Sequence, residues 1–522
     1  MKRRFLALLL AAAAVFLLAA CGKGGDTFRY DIGARVTNLD PQCAAQQEAK
    51  RILANCMEGL LRQTGEGEIQ PAAAEAVEVS PDGLTYTFTL RKGLTWSDGE
   101  PLTAHDFVFG FQRLFDREVP SPFVEDFLCI RNSGAILAGN FSADLLGVKA
   151  VDDRTLVITL EQANPFFRMA LATPAAMPCR KDFFEETRGR YGLEKNALLC
   201  CGPFTLTGWT DEKVTLVARE DYSGGKVLPE AVVFYIGREE PYQLLLEGKA
   251  DAGAIEEELL QQAAEAGLNY TACDNAVWGL VFNQNREPFG DAQLRRALQM
   301  ALDRSFVTGT LPENCPVTAA VIPPSIGLGD GRSYRETAGA VLDPVYTPEA
   351  GRTLLRGLLE EAEAEMPVLT LLLPEEEHCM ACAGLIQQQW QQNLSVYLNL
   401  ETLPAEEYAQ RLTDRDYDIA LVEVRSPVNT PAGVLGRFMA ASSENPAGYA
   451  NPEFDRTVAQ MAEAADVEKM VELAALAEDM LINDAVIYPL FLSTSYFATG
   501  ESVRGLEYSP YSGQVWFQNA TK

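Results

Sequence analysis

EVSPDGLTYTFTLRKGLTWSDGEPLTAHDFVFGFQRLF, residues 78–115 of a 522-residue chain, is the stretch from which the fold can be read. Residues 85–90 alternate strictly, Tyr86, Phe88 and Leu90 on one side and three threonines on the other. That is the period of a half-buried strand. Lys92-Gly93 breaks it, Leu94 and Trp96 resume it, and Ser97-Asp98-Gly99 supplies a second turn. Thr103 stands three residues before Asp106, a capping-box spacing, and Phe107, Phe111 and Leu114 follow at helical intervals. A hairpin feeding a helix is the plainest reading.

Length and composition bound what such a chain can be. At 522 residues it has room for two or three domains, and 47% hydrophobic with 22% charged residues is ordinary for a globular protein. The formal charge is −30, and it becomes more negative still once Lys2, Arg3 and Arg4 are removed with the leader described next. Such a surface repels nucleic acid and anionic membranes, which require clustered Lys and Arg. An acidic balance by itself names no ligand.

Lys2-Arg3-Arg4 forms a basic start, and residues 5–20 are an apolar run rich in Leu and Ala that ends at Leu18-Ala19-Ala20-Cys21. The run is short for a transmembrane helix and has the flanks of a secretory signal. An ordinary signal cleaved after a small residue would not require a cysteine here. Leu-Ala-Ala-Cys resembles the bacterial lipobox, which implies a signal peptide over residues 1–20, lipid on Cys21 and a short linker over 21–27. Two or more acyl chains hold a protein stably at a membrane surface. The expected location is therefore extracytoplasmic, lipid-anchored to the outer face of the cell membrane or in the periplasm.

The order TFTLRKGLTWSDGEPLTAHDFVFGFQRL closely resembles the signature of the family-5 extracellular solute-binding proteins, the oligopeptide- and dipeptide-binding components of ABC importers. Further segments match in order. They are Thr37-Asn38-Leu39-Asp40-Pro41, Glu58-Gly59-Leu60-Leu61, Asn164-Pro165-Phe166-Phe167, Gly202-Pro203-Phe204, Gly248-Lys249-Ala250-Asp251, Ala301-Leu302-Asp303-Arg304 and Asp484-Ala485-Val486-Ile487-Tyr488-Pro489-Leu490. The resemblance runs from about Thr27 to Gln518. It implies an α/β, two-lobed periplasmic-binding-protein-like fold (type II, cluster C) with an extra subdomain inserted in the first lobe. Residues 28–62, 184–274 and 483–522 would form the first lobe, 63–183 the inserted subdomain and 275–482 the second lobe. The crossovers are expected near Asp274 and Ile482. The resemblance also implies hinge closure on a peptide or small-molecule ligand, ABC permease and ATPase partners, a monomer, and no cofactor or metal.

Periodicity predicts strands at residues 28–32, 154–161, 201–209, 214–219, 221–222, 231–236 and 278–283, and helices at 46–61 and from Asp291. Beyond residue 348 helices and strands alternate, with strands at 367–373, 396–402, 417–424 and 485–491. That pattern argues for a largely parallel sheet in the second lobe.

In peptide-binding members, a second-lobe strand carries a Gly-Trp-x-x-Asp-type pattern. Its Asp meets the peptide ammonium while backbone groups hold the peptide as an added strand. Here the matching run is Glu423-Val424-Arg425-Ser426-Pro427, with Val424 at the Trp position and Pro427 at the Asp position. A proline brings no carboxylate and removes a backbone donor. Glu423 and Arg425 either face the cleft and bind charged groups of a polar ligand or lie on the lobe surface as solvated charges or a local ion pair. Ala45, Gln46 and Gln47 fall on the family's other ligand-facing segment, where Gln47 is a hydrogen-bonding ligand contact or a plain polar helix start. Trp278 near the hinge stacks on ligand or packs in the core. The expected ligand set is thus Ala45, Gln46, Gln47, Trp278, Glu423, Val424, Arg425 and Ser426. The cargo is a peptide or similar polar solute; oligosaccharides, opine-like conjugates and nickel chelates are the alternatives on the same fold.

Apart from Cys21, ten cysteines remain, an even number whose pairing spacing cannot decide. Cys379-Met380-Ala381-Cys382 follows His378 and admits a metal or redox reading. No second pair at zinc-site spacing accompanies it, and small buried residues are the preferred reading. His105 and His378 are the only histidines, and no G-x-S-x-G, Walker or H-E-x-x-H motif is present, so a hydrolase is the less favoured class.

Overall fold

The computed structural model describes residues 26–522 apart from 118–120, 165, 237–241, 306–308, 312–314, 426–429, 443, 463, 465 and 511. In the first half lie β1 (Thr27–Asp31), β2 (Leu61–Gln63), β3 (Ile69–Pro71), β4 (Ala74–Val79), β5 (Thr85–Leu90), β6 (Val148–Asp152), β7 (Thr155–Thr159), β8 (Phe204–Trp209), β9 (Lys213–Ala218) and β10 (Ala231–Tyr235). There follow β11 (Ala252–Ile255), β12 (Leu268–Phe282), β13 (Leu369–Pro374), β14 (Leu398–Leu403), β15 (Ile419–Val424), β16 (Ile487–Gly500), β17 (Glu507–Tyr508) and β18 (Val515–Trp516).

The stretch that opened the reading builds a small sheet of order β4-β5-β7-β6 with the helix Ala104–Leu114 against it. Tyr86, Phe88 and Leu90 are buried as the alternation requires. The turn into β5 is held locally. Asp82 accepts from the Leu84 amide at 3.1 Å, Ser80 Oγ from the Thr85 amide at 2.9 Å, and Gly83 takes φ +71°. Asp106 accepts from the Thr103 amide at 2.8 Å and the Trp96 indole at 3.4 Å, so one carboxylate caps the helix and secures the loop before it. Leu94 and Trp96 are buried but do not resume a strand; the only pairing there is an isolated bridge from Thr95 to Pro101. The hairpin partner of β5 is β4, because the Ser80–Gly83 turn folds the chain back before the Lys92-Gly93 break.

A ten-stranded sheet of order β14-β13-β15-β12-β16-β11-β1-β10-β9-β8 carries both lobes. β1 is parallel to β10 and β11 on the first-lobe side, and β13 is parallel to β14 and β15 on the other. Two long antiparallel strands join the halves. β12 pairs with β16 from Leu268 to Val281, and it gains β15 only from Val277 onward. β16 pairs with β11 only from Tyr496. The ladder shifts register between Asp274 and Ala276 and again between Trp278 and Gly279, next to the change of partner.

Buried side chains divide at this crossing. One large core serves the first lobe and the inserted subdomain together, with a small one around Leu245, Ile255 and Tyr496 beside it, while two cores cover the opposite faces of the second-lobe sheet. Val486, Ile487, Tyr488, Leu490, Phe491 and Leu492 belong to the second-lobe cores. β16 keeps this second-lobe packing through Leu492, and residues 493–495 are partly exposed before the strand is buried again from Tyr496. Away from β12 and β16 the lobes touch at the start of β3, where the Ile69 amide donates to the Gly329 carbonyl at 2.9 Å, beside an isolated bridge from Glu68 to Asp330.

The first helix spans Gln47–Cys56 rather than 46–61. Met57 turns extended, the Cys56 carbonyl accepts from the Cys201 and Gly202 amides, and the chain is drawn off toward β2. Residues 221–222 form no strand, since Asp221 is taken up in pairing Arg219 at 2.9 Å across a turn.

Candidate functional site

The carboxyl ends of β13 and β15 open at the same end of the second-lobe sheet, where β12 and β16 leave for the first lobe. In sheets of this kind that edge is where ligands are met. The chain leaves β13 at Pro374, and Glu376 precedes the 18-residue helix Glu377–Leu394. Trp278 of β12 lies opposite Glu423 of β15 on one side and Phe491 of β16 on the other. The His378 ring stands 5.8 Å from both Trp278 and Phe491, at 70° and 90°. Glu376 pairs with His378 Nε2 at 3.1 Å, and its carboxylate is 4.0 Å from Cys379 Sγ. Arg425 donates to Glu423 at 2.6 Å, and Arg437 donates to the carbonyls of Glu423 and Arg425 at 3.2 and 3.3 Å.

The electrostatics follow from this packing. Burial works against the Arg425 charge, but the hydrogen bond and charge of Glu423, with Glu376 behind, more than offset it and raise its pKa. Burial pushes the Cys379 thiol up, and the charge of Glu376 adds to that. Cys273, on the first-lobe side of the crossing, is pushed up to about 12, first by burial and then by Asp274. It donates to the Pro510 carbonyl at 3.3 Å.

Across the cleft, the helix Gln47–Cys56 turns one face to the C-terminal segment. Gln47 donates to the Ser512 carbonyl at 2.5 Å, Arg51 to that of Gly513 at 2.8 Å and Asn55 to that of Val515 at 2.8 Å. These positions recur every four residues, one helix face. Gln46 donates to the Arg35 carbonyl at 3.2 Å, and Ala45 is exposed. The side chain of Gln47 is thus engaged in fastening a loop.

Of the expected ligand set, Trp278, Glu423 and Arg425 come together. Trp278 is 3% exposed, yet its indole N–H has no hydrogen-bond partner among the described residues. Val424 is a correction: at 1% exposed it packs with Ala420 and Val422 in the core under the helices Pro452–Ala462 and Val467–Asn483, so only its backbone can meet a solute. The alternation that turns Glu423 toward Trp278 turns Val424 away. Ser426, Pro427 and Cys21 lie outside the described residues. Sequence reasoning missed Glu376 and Phe491 and gave His378 no place in the cleft. The carboxyl-end rule, applied to the strand ending at Pro374, would have pointed to Glu376 and His378.

A family model, Bacterial extracellular solute-binding proteins, family 5 Middle, matches residues 68–445. The dipeptide-binding protein DppE of Bacillus subtilis is 29% identical over 482 residues, covering 91% of this chain and 88% of that protein. The structure of Haemophilus influenzae OppA with the peptide RPPGFSPFR superposes with a TM-score of 0.74 at 25% identity, covering 95% of this chain and 99% of that one. The ABC transporter substrate-binding protein CtaP of Listeria monocytogenes gives 0.81 at 22% identity, with the same coverage.

Proposed function

Because the chain belongs to the family-5 bacterial extracellular solute-binding proteins, we propose that it captures a peptide or similar small polar solute between its lobes and delivers it to an ABC permease. The observation that carries this reading is the crossing itself. Among the described residues, two paired strands are the only part of the large sheet shared by both lobes, and the charged and aromatic residues Glu423, Arg425, Trp278 and His378 gather where they cross. Bending at the register shifts beside Asp274 and Trp278 closes the lobes over that cluster. Residues 28–62, 184–274 and 493–522 act as one lobe, with 63–183 inserted, and 275–492 as the other.

Peptide cargo is supported by the similarity to the dipeptide-binding protein DppE and to OppA with its bound peptide. Glu423 takes the part of the anion that meets a peptide ammonium, and Arg425 beside it meets a carboxylate. A thermal-shift screen against peptides of two to ten residues tests this. A ligand at 100 times its Kd adds about 2.7 kcal/mol to folding stability. At least one peptide is expected to raise the melting temperature, and Glu423→Ala together with Arg425→Ala is expected to abolish that rise. If sugars shift melting and no peptide does, the peptide assignment fails and an oligosaccharide takes its place.

The protein works outside the cytoplasm, held by lipid on Cys21. No helix among the described residues is long and apolar enough to cross a membrane. Cys21→Ala is expected to move the protein from the membrane fraction to the soluble fraction; full retention of the variant on membranes would refute the anchor.

A further inference from the structure

His378-Cys379 stands in the sequence as half of a Cys-x-x-Cys pattern, and the structure divides that pattern in two. Cys382 is buried on the inner side of its helix, where burial first and then the nearby Cys315 push its thiol up. Cys379 instead joins Glu376 and His378, whose ligand atoms and its own all lie within 4.8 Å of one another. The three residues occupy the lip of β13 and the first turn of the helix behind it. His378 and Glu376 are open to solvent at 29% and 47% side-chain exposure, while Cys379 is buried at 0%.

We infer that Glu376, His378 and Cys379 form a three-ligand site for a divalent transition-metal ion of the Zn²⁺ kind, with its remaining position facing the interlobe cleft. The donor set is one carboxylate oxygen, one imidazole nitrogen and one thiolate. These are the three side-chain donors Zn²⁺ takes, and three protein ligands leave a fourth position for water or solute. Neighbouring donors in a tetrahedral zinc site lie roughly 3.3–3.6 Å apart, given bonds of about 2.0–2.3 Å. The Glu376 carboxylate stands 3.1 Å from the imidazole and 4.0 Å from the thiol, and all three donors lie within 4.8 Å, so side-chain rotation has to draw them in on binding. The Trp278 and Phe491 rings pack edge-on against the imidazole at 5.8 Å and limit its rotation. The indole N–H of Trp278, buried and unpartnered beside His378, is a donor for whatever fills the open position.

Burial, and after it the charge of Glu376, keeps the Cys379 proton on sulfur. A divalent ion reverses the local field, and binding forms the metal–sulfur bond as the thiol proton leaves for solvent. The helix N-terminus opposes the cation but favours the thiolate and carboxylate that hold it. Arg425, the nearby cation, is already taken by Glu423. The use of the ion, to hold a solute that donates to it, rests on the cleft reading above; the site itself does not.

Titration of the metal-stripped mature protein with Co²⁺ tests the site. One ion per chain should bind, giving the thiolate-to-cobalt charge-transfer band in the near ultraviolet, and Zn²⁺ should displace it. Cys379→Ser should lose the band, His378→Ala should weaken binding by at least the ~10–100-fold that loss of a supporting residue costs, and Cys382→Ser should bind as the parent does. His378→Ala keeps the test sound if Cys379→Ser folds poorly. No band in the parent, or a band that survives Cys379→Ser or vanishes in Cys382→Ser, overturns the assignment. The peptide thermal shift, repeated on His378→Ala without metal, reports the cleft reading separately.

Discussion

Glu478 is 2% exposed on the helix Val467–Asn483, and its carboxylate accepts from the Val321 and Ile322 amides at 2.8 and 2.9 Å. Arg335 donates to both of its oxygens at 2.7 Å. A buried charge is tolerated when it is paired and its lone pairs are filled, and removing one partner leaves the other stranded. Glu478→Ala should therefore cost about 3–5 kcal/mol, read as a lowered midpoint of denaturant unfolding. A loss under about 1 kcal/mol would mean that Arg335 and the amides find water instead. Nothing in the sequence marks Glu478 among its acidic neighbours, because its partners lie more than 140 residues away in the chain. Trp278 and Glu423 were legible as candidates by their place on strands matching the family, and alternation alone separated Glu423 from Val424. The position of Glu376 beside Cys379 was not legible, since it depends on how one helix enters behind one strand.

At the scale of elements, strands with one buried face were readable and their ends were not. β5 and β7 alternate cleanly, and both formed close to where the pattern puts them. β12 and β16 were seen only in part. Their second-lobe portions are apolar because core covers both faces there, whereas residues 269–272 and 493–495 stand at least partly exposed and carry no such signal. Propensity likewise carries the first helix past Cys56, and the tertiary bonds from Cys201 and Gly202 end it. The segments that turn two lobes into a hinged pair were therefore the least visible in the sequence. They are strands whose two halves live in different surroundings.

At the scale of the molecule, the chain is an acidic body whose cores part at two crossing strands, with a polar and aromatic cluster at the parting. Most of the buried apolar surface lies within one lobe or the other, with Phe166 of the inserted subdomain packed on a second-lobe core, so rotation of the lobes unpacks little besides that contact. The order of family-like segments made this architecture legible; the cargo was not, because the ligand-choosing positions depart from the peptide-binding pattern at Val424 and Pro427. The central claim is that one small solute is held between the lobes. Native mass spectrometry of the mature protein, as purified and after incubation with a library of di- to decapeptides, tests it most directly. The account predicts a complex of one solute per chain that dissociates to the bare mass under gentle activation. The bare chain alone under every condition, with the protein folded by its melting curve, would contradict it.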